Sequence, residues 1–238
     1  MLLRELTSRR VQIVEGGNVF KSKDGEILTQ RINQADVEPT VRFLENITGL
    51  ELVPHMLGTT GKKPTSGDLD IGMPEGVTKD ELVAKLSAWC AKNGVDPRTA
   101  IKKSGVSVHF RTPIGGASDR GYVQTDFMFI PNLDFAKFSM AADPHSKYKD
   151  ANKHVVLSAV AKHHGFKWSP TQGLISRTTN EVVSTNPDEI AEMLLGNGKN
   201  RGDIASVEAV VNALEGNPDR DAILADARET LGREGIEI

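Results

Sequence analysis

Apolar residues recur every three or four positions in the first well-patterned stretch of the chain. These positions are Val37, Val41, Leu44 and Ile47. The spacing predicts a helix that begins near Asp36 and buries one face. Gly49 stands where a glycine commonly ends a helix. Residues 1–35 show no such period, so we expect strand and loop there.

Later stretches repeat the helical pattern with recognisable ends. Thr78 and Glu81 have the spacing of a capping box and predict a helix that ends at Gly94. Asn186 followed by Pro187 has the order of a helix N-terminus. Further helices are expected at 150–164, 204–214 and 219–231, with a linker at 196–203.

Other stretches favour extended structure. A short strand is expected around 54–57 and a second at 68–73. The runs 105–111 and 121–130 are extended, and the loop 113–120 between them contains two glycines, which predicts a hairpin.

The composition is useful mainly because it excludes several classes of protein and site. The chain has 238 residues, 38% of them hydrophobic, and a net charge of −3, which is typical of a soluble globular protein. No apolar run approaches the ~20 residues of a membrane helix, so a cytoplasmic protein without membrane association is expected. The single cysteine, Cys90, excludes an internal disulfide and a cysteine-based zinc cluster.

The charge is distributed unevenly along the chain. Residues 145–167 contain five lysines and four histidines against one acid, whereas residues 186–238 contain twelve acids and five basic residues. The basic segment is compatible with a phosphate-binding surface. An ordinary solvated helix face is the alternative.

Two acids stand two positions apart in the strand expected at 68–73. Side chains at this spacing point to the same face of a strand, so Asp68 and Asp70 project together. Neighbouring carboxylates repel each other unless a cation lies between them, and Mg²⁺ is a usual partner. The pattern also occurs by chance, and two solvated aspartates are then the alternative.

A third acid interrupts the otherwise apolar run 123–131. If Val123, Thr125 and Phe127 face the core, Asp126 lies on the opposite face with Gln124. An isolated acid in such a strand is costly to bury unless it is paired or bound to metal. Two divalent ions need more carboxylates than one pair supplies, so Asp126 is a candidate third ligand.

A glycine-rich basic turn precedes the paired acids. It comprises Gly58, Thr59, Thr60, Gly61, Lys62 and Lys63. Glycines allow backbone N–H groups to face an anion, and the lysines add positive charge. A solvated turn is the alternative for this segment taken alone.

Together these motifs resemble the active-site signature of the DNA polymerase β-like nucleotidyltransferases. The run LGTTGKKPTSGDLDIGMP is similar to the family's glycine turn followed by Ser-Gly and Asp-x-Asp, and VQTDFMFIP is similar to the strand that carries its third aspartate. Downstream, residues 163–196 resemble the thumb segment of family X polymerases, with a hairpin at 165–183. The similarity covers about residues 52–196.

The resemblance implies an α+β (α/β two-layer) fold with a mixed β-sheet. Its expected parts are a nucleotidyltransferase palm with an N-terminal extension at 1–140, a thumb-like segment at 141–196 and a helical acidic tail at 197–238. It implies a two-metal site in which Asp68, Asp70 and Asp126 bind Mg²⁺, with Mn²⁺ as the alternative. The implied triphosphate-binding residues are Gly58, Thr59, Thr60, Lys62, Lys63, Ser66 and Gly67.

The implied reaction is transfer of an NMP or dNMP from a nucleoside triphosphate to an acceptor hydroxyl, with release of pyrophosphate. A nucleic-acid 3′-hydroxyl is the leading acceptor, and the basic segment 145–167 would contact it. A protein or small-molecule acceptor and a non-catalytic nucleotide-binding protein are the alternatives. The chain also resembles small nucleotidyltransferases of bacteriophages, which implies the host cytoplasm if it is phage-encoded.

The chain departs from the family pattern in several features. The turn is one residue shorter than in family X polymerases, so Lys62 and Lys63 do not correspond one for one to the family's basic residues. Thr59 stands where the family usually has serine, a change that keeps the hydroxyl. The family's tyrosine-phenylalanine pair, which reads the sugar, has no recognisable counterpart in residues 138–143. A preference between ribose and deoxyribose is therefore not implied.

Overall fold

A computed structural model describes residues 18–143 and 145–238 of the chain. These residues form an α+β fold with a mixed sheet, as expected. Its helices are α1 (Gln34–Thr48), α2 (Lys79–Lys92), α3 (Pro97–Ala100), α4 (Leu133–Ser139), α5 (Asp150–His163), α6 (Pro187–Leu195), α7 (Val207–Ala213) and α8 (Arg220–Gly232). Within the described ranges, no helix is long and apolar enough to cross a membrane.

In the described part of the chain, the strands form three sheets. They are β1 (Ile32–Asn33), β2 (Thr65–Ser66), β3 (Asp68–Gly72), β4 (Ile101–Ser104), β5 (Ser107–Pro113), β6 (Tyr122–Met128), β7 (Phe166–Ser169), β8 (Gly173–Ser176) and β9 (Val182–Ser184). The central sheet has the order β3-β6-β5-β4, in which β3 and β6 are parallel and the other neighbours antiparallel. β1 pairs with β2, and β7, β8 and β9 form a small antiparallel sheet.

One face of the central sheet packs against α1 and α2. The buried residues of this core include Leu69 and Ile71 of β3, Val108 and Phe110 of β5, and Val123 and Phe127 of β6. Since strand side chains alternate between faces, Asp68 and Asp70 of β3 lie on the other face with Gln124 and Asp126 of β6. The face assignment made for Asp126 from the sequence is thereby confirmed.

The predicted helix ends have the expected physical basis. Gly49 adopts the left-handed conformation (φ 67°) and its N–H donates to the carbonyl of Glu45, which ends α1. Thr78 and Glu81 form both hydrogen bonds of a capping box at the start of α2. The side chain of Asn186 accepts from the backbone N–H of Asp188 at the start of α6.

Several elements differ from the sequence-based expectations. The strand predicted at 54–57 is wrong, because Val53–His55 is a 3₁₀ turn and only Met56 bridges to Ile71. Proline disfavours a ladder position and suits the first turn of a helix, which explains the difference. The predicted linker 196–203 ends in a 3₁₀ turn at Arg201–Ile204. Residues 1–17 of the predicted N-terminal strand and loop lie outside the described residues.

Short elements were missed by the periodicity. Neither α3 and β4 nor α4 was predicted, because segments of four to seven residues contain too little of a period to stand out. β4 matters for the site because it extends the central sheet beside β5.

A second group of buried apolar residues lies in the C-terminal part of the chain. Its members come from the elements between α4 and α8, and they include Phe135, Trp168 and Leu224. The segments expected as thumb and tail therefore share one hydrophobic cluster. The division at 140 and 196 stays a prediction.

Candidate metal centre and adjoining cavity

Three carboxylates meet on the polar face of the central sheet. Because β3 and β6 are parallel neighbours, Asp70 lies directly beside Asp126, and Asp68 lies beside Gln124. One carboxylate oxygen from each of Asp68, Asp70 and Asp126 lies within 4.8 Å of the others. Asp126 is only 8% exposed. This arrangement could hold a metal ion, because closely spaced carboxylate oxygens are what hard divalent cations bind.

The electrostatics of the cluster favour a cation. Burial, together with the neighbouring charges of Asp68 and Asp126, raises the pKa of Asp70 to about 8. Burial and then Asp126 also raise the pKa of Asp68, while the positive charge of Arg31 opposes that shift. A bound cation would remove this mutual repulsion, so the donor set fits a divalent metal.

Without metal, the stability of the folded chain is expected to fall as the pH rises from about 4 to about 8. The ordinary aspartate pKa of 3.8 applies to Asp70 in the unfolded chain, and its pKa is about 8 in the folded chain. The folded chain therefore binds more protons across this window, and ionising Asp70 costs folding free energy. The cost is absent below the window and complete above it, on the order of a few kcal/mol.

The measurement is the melting temperature of metal-free protein between pH 4.5 and 8.5, with Asp70→Asn for comparison. Each kcal/mol corresponds to about 2–4 °C in a chain of this size. The variant cannot ionise at this position, so its melting temperature should decline less than that of the wild type. Equal slopes for the two proteins would show that Asp70 ionises in the folded chain as it does in the unfolded one.

The glycine-rich turn and the residue before it form hydrogen bonds with the backbone of Asp70. The N–H of Leu57 donates to the Asp70 carbonyl (2.8 Å), and the Asp70 N–H donates to Oγ1 of Thr60 (3.0 Å). Gly58 has φ 58°, and a Cβ at this position would lie 3.6 Å from Oδ2 of Asp70. The left-handed conformation favours glycine at this position, whereas a Cβ would meet the carboxylate only at ordinary contact distance.

The predicted triphosphate-binding residues do not share one environment. Thr59, Lys62 and Lys63 line a cavity of about 490 Å³. Thr60 is buried and supports β3, and Ser66 is buried in β2. Of the last two residues, Gly58 lies beside Asp70 and Gly67 lies beside the guanidinium of Arg31.

The cavity has a strongly basic wall. Residues from the turn 58–63 form one side, and Tyr148, Lys149 and Lys153 form another. In total four lysines and two aspartates line it. Its volume lies in the range of small-molecule sites, about 300–1,000 Å³. Thr59 lines the cavity and follows Gly58, so the cavity and the carboxylates adjoin the same turn.

Lys153 is held in this wall by a buried network. Its Nζ lies 2.8 Å from Oδ1 of Asp150 and donates to the Ala141 carbonyl (2.9 Å). Asp150 also faces His154, whose Nδ1 accepts from the indole N–H of Trp168 (3.0 Å). Burial raises the pKa of Asp150, but the His154 hydrogen bond and the charge of Lys153 outweigh it and lower the pKa overall. Asp150 therefore stays ionised and orients Lys153.

The lysines of the basic segment 145–167 do not form one surface. Lys149 and Lys153 line the cavity, and Lys153 is 3% exposed. Lys162 forms an ion pair with Asp226 of α8, whereas Lys167 donates to Asn180. Lys147 lies over the ring of Tyr148. The positive charges of the segment therefore belong to lysines that have different partners and do not lie on a common surface.

Two polar side chains contact Asp126 and were not identified as functional from the sequence. His109 of β5 has Nδ1 2.7 Å from Oδ1 of Asp126, and Gln124 donates to Oδ2 (3.2 Å). The register could have suggested His109. A hairpin that pairs Pro113 with Tyr122 also pairs His109 with Asp126.

The comparisons with known proteins add no family to this description. No protein-family model matches the chain, and no curated protein matches it.

Proposed function

We propose that this chain is a metal-dependent nucleotidyltransferase that transfers an NMP or dNMP from a nucleoside triphosphate to an acceptor hydroxyl. The observation that carries the proposal is the cluster of Asp68, Asp70 and Asp126, in which one carboxylate oxygen from each residue lies within 4.8 Å of the others. The resemblance of residues 52–196 to polymerase β-like enzymes points to the same chemistry. Mg²⁺ is the proposed metal, with Mn²⁺ as a substitute.

The reaction exchanges one phosphorus–oxygen bond for another. The acceptor oxygen bonds to the α-phosphorus, the bond from that phosphorus to the β-phosphate oxygen breaks, and pyrophosphate leaves while the hydroxyl proton passes to solvent. Two bound divalent ions would lower the pKa of the acceptor hydroxyl and neutralise the leaving pyrophosphate. The chain contributes position and charge, so no covalent intermediate is required.

The basic cavity supports binding of the triphosphate beside the carboxylates. Gly58 approaches Asp70, and the next residue, Thr59, lines the cavity with Lys62 and Lys63. The β- and γ-phosphates would lie against these lysines and against Lys149 and Lys153, which adds positive charge where the leaving group develops negative charge. Asp150 and the Ala141 carbonyl orient the ammonium of Lys153.

A nucleic-acid 3′-hydroxyl is the leading acceptor, on the resemblance to polymerases. A protein or small-molecule acceptor is the second candidate, and one observation favours it. Lys149 and Lys153 line the cavity and Lys162 pairs with Asp226, so the segment 145–167 offers fewer lysines to a nucleic-acid backbone than its composition indicates.

The decisive experiment incubates the protein with each labelled NTP and dNTP, in Mg²⁺ or Mn²⁺. Single-stranded, primed and gapped oligonucleotides are the acceptors, and a reaction without oligonucleotide completes the set. Label on an oligonucleotide supports the leading acceptor, and label on the protein alone supports the second candidate. Triphosphate binding without transfer to an oligonucleotide or to the protein would exclude both macromolecular acceptors and favour a nucleotide-binding protein.

A further inference from the structure

His109 lies directly beside the third carboxylate of the cluster. It faces Asp126 across the antiparallel pair β5–β6, so both side chains project from the same face of the sheet. His109 and Asp126 are each 8% exposed. Their hydrogen bond, 2.7 Å from Nδ1 to Oδ1, therefore lies in a site with little water, where electrostatic interactions are stronger.

We propose that His109 is a positioning residue that sets the orientation of the Asp126 carboxylate for metal binding. This inference rests on the proposed function. The carboxylate plane can turn about one soft torsion, and a hydrogen bond to each oxygen stops that rotation. His109 donates to Oδ1, and Gln124 donates to Oδ2. Each carboxylate oxygen keeps a free lone pair for a cation.

The second donor is itself held in place. Gln124 is 2% exposed, and its Oε1 accepts from the backbone N–H of Val19 (2.9 Å). This contact determines which end of the amide faces Asp126, so Nε2 is the donor. Within residues 18–143 and 145–238, Asp126 is the one member of the cluster that receives side-chain hydrogen bonds.

Of the two ring nitrogens of His109, Nδ1 is the one that contacts Asp126. Its Nε2 is buried and has no hydrogen-bond partner in the described part of the chain. The proposal therefore assigns the effect to Nδ1, which is separated from Cβ by one carbon. Asparagine carries its amide nitrogen at the same separation, whereas glutamine carries it near the position of Nε2. These two amides are matched variants that separate orientation of Asp126 from simple filling of space.

The test measures Mn²⁺ binding by electron paramagnetic resonance for wild type, His109→Ala, His109→Asn and His109→Gln. Outer-shell partners of metal ligands typically contribute about 10- to 100-fold in affinity or activity. We expect His109→Ala and His109→Gln to weaken Mn²⁺ binding by about this factor, and His109→Asn to stay within a few-fold of wild type. In transfer assays, kcat should fall for His109→Ala and His109→Gln and change little for His109→Asn. The KM for the triphosphate should stay nearly constant in all three variants.

Other outcomes separate the inference from the proposed function. Asp126→Asn is the reference, because it removes the ligand itself. If Asp126→Asn loses Mn²⁺ affinity but His109→Ala keeps it, or if glutamine restores it as well as asparagine, His109 has no positioning role. A lower melting temperature with unchanged Mn²⁺ affinity in all three His109 variants would likewise assign it to packing alone. If Asp126→Asn binds Mn²⁺ as the wild type does, the metal centre fails, and the inference fails with it.

Discussion

Replacing Asp126 by asparagine is expected to abolish nucleotide transfer while leaving the fold intact. The substitution keeps the shape of the side chain but removes one of the three charges that would hold the metal ions. A loss of at least about 10³-fold in rate is expected, because metal activation of the acceptor hydroxyl contributes several kcal/mol. Folding should not suffer, because the charge of Asp126 raises the pKa of both Asp68 and Asp70 in the metal-free protein.

The measurement is the transfer rate across a range of Mg²⁺ concentrations, with the melting temperature recorded for each protein. Asp80→Asn is the matched control, since Asp80 is an exposed acid on α2 whose partner is Lys103. The control should retain full activity. Near-wild-type transfer by Asp126→Asn at low Mg²⁺ would show that Asp126 is not a ligand of the active metal.

Replacing Lys62 and Lys149 together by glutamine is expected to weaken triphosphate binding by about 10- to 100-fold. The two lysines line the same cavity, Lys62 from the turn 58–63 and Lys149 from the start of α5. A hydrogen bond to a charged group contributes about 1.5–3 kcal/mol when it is well formed. Both lysines are exposed residues, so the effect should shrink at high salt. Lys153 is less suitable for this test because its loss would leave Asp150 without its ion pair.

The binding of a non-hydrolysable triphosphate, measured by calorimetry at two salt concentrations, checks this expectation. Lys162→Gln is the matched control, because Lys162 is an exposed lysine of α5 that pairs with Asp226 outside the cavity. Oligonucleotide affinity is measured in the same variants. Unchanged triphosphate affinity combined with weaker oligonucleotide binding would move Lys62 and Lys149 from the triphosphate site to the acceptor surface.

Local patterns in the sequence predict much of the fold and the centre of the site. Alternation of side chains along a strand places Asp68 and Asp70 on one face, and it places Asp126 opposite the apolar positions of its own strand. The clustering of these three carboxylates is confirmed, whereas their catalytic role stays a proposal. The capping box of α2 and the glycine that ends α1 also depend on neighbouring residues alone, and both are confirmed.

The tertiary structure decides features that depend on residues far apart in the chain. The cavity joins the turn 58–63 to α5 and to the start of α7, across about 140 residues of sequence. The periodicity of one segment does not predict which distant segments will meet. The cavity forms only when the hydrophobic faces of separate elements pack against each other. The same packing buries Lys153 in the cavity wall and pairs Lys162 with the acidic tail. Lysines of one basic segment therefore lie in different environments.

The contact between His109 and Asp126 depends partly on local sequence patterns and partly on tertiary packing. Its residues are 17 positions apart, and the hairpin register that joins them follows from where the loop 113–120 closes. The sequence by itself determined that both residues belong to extended runs and that Asp126 lies opposite the apolar positions of its own run. Only the packed sheet decided that the imidazole is buried against the carboxylate, because the strength of that contact depends on exclusion of water by the surrounding structure.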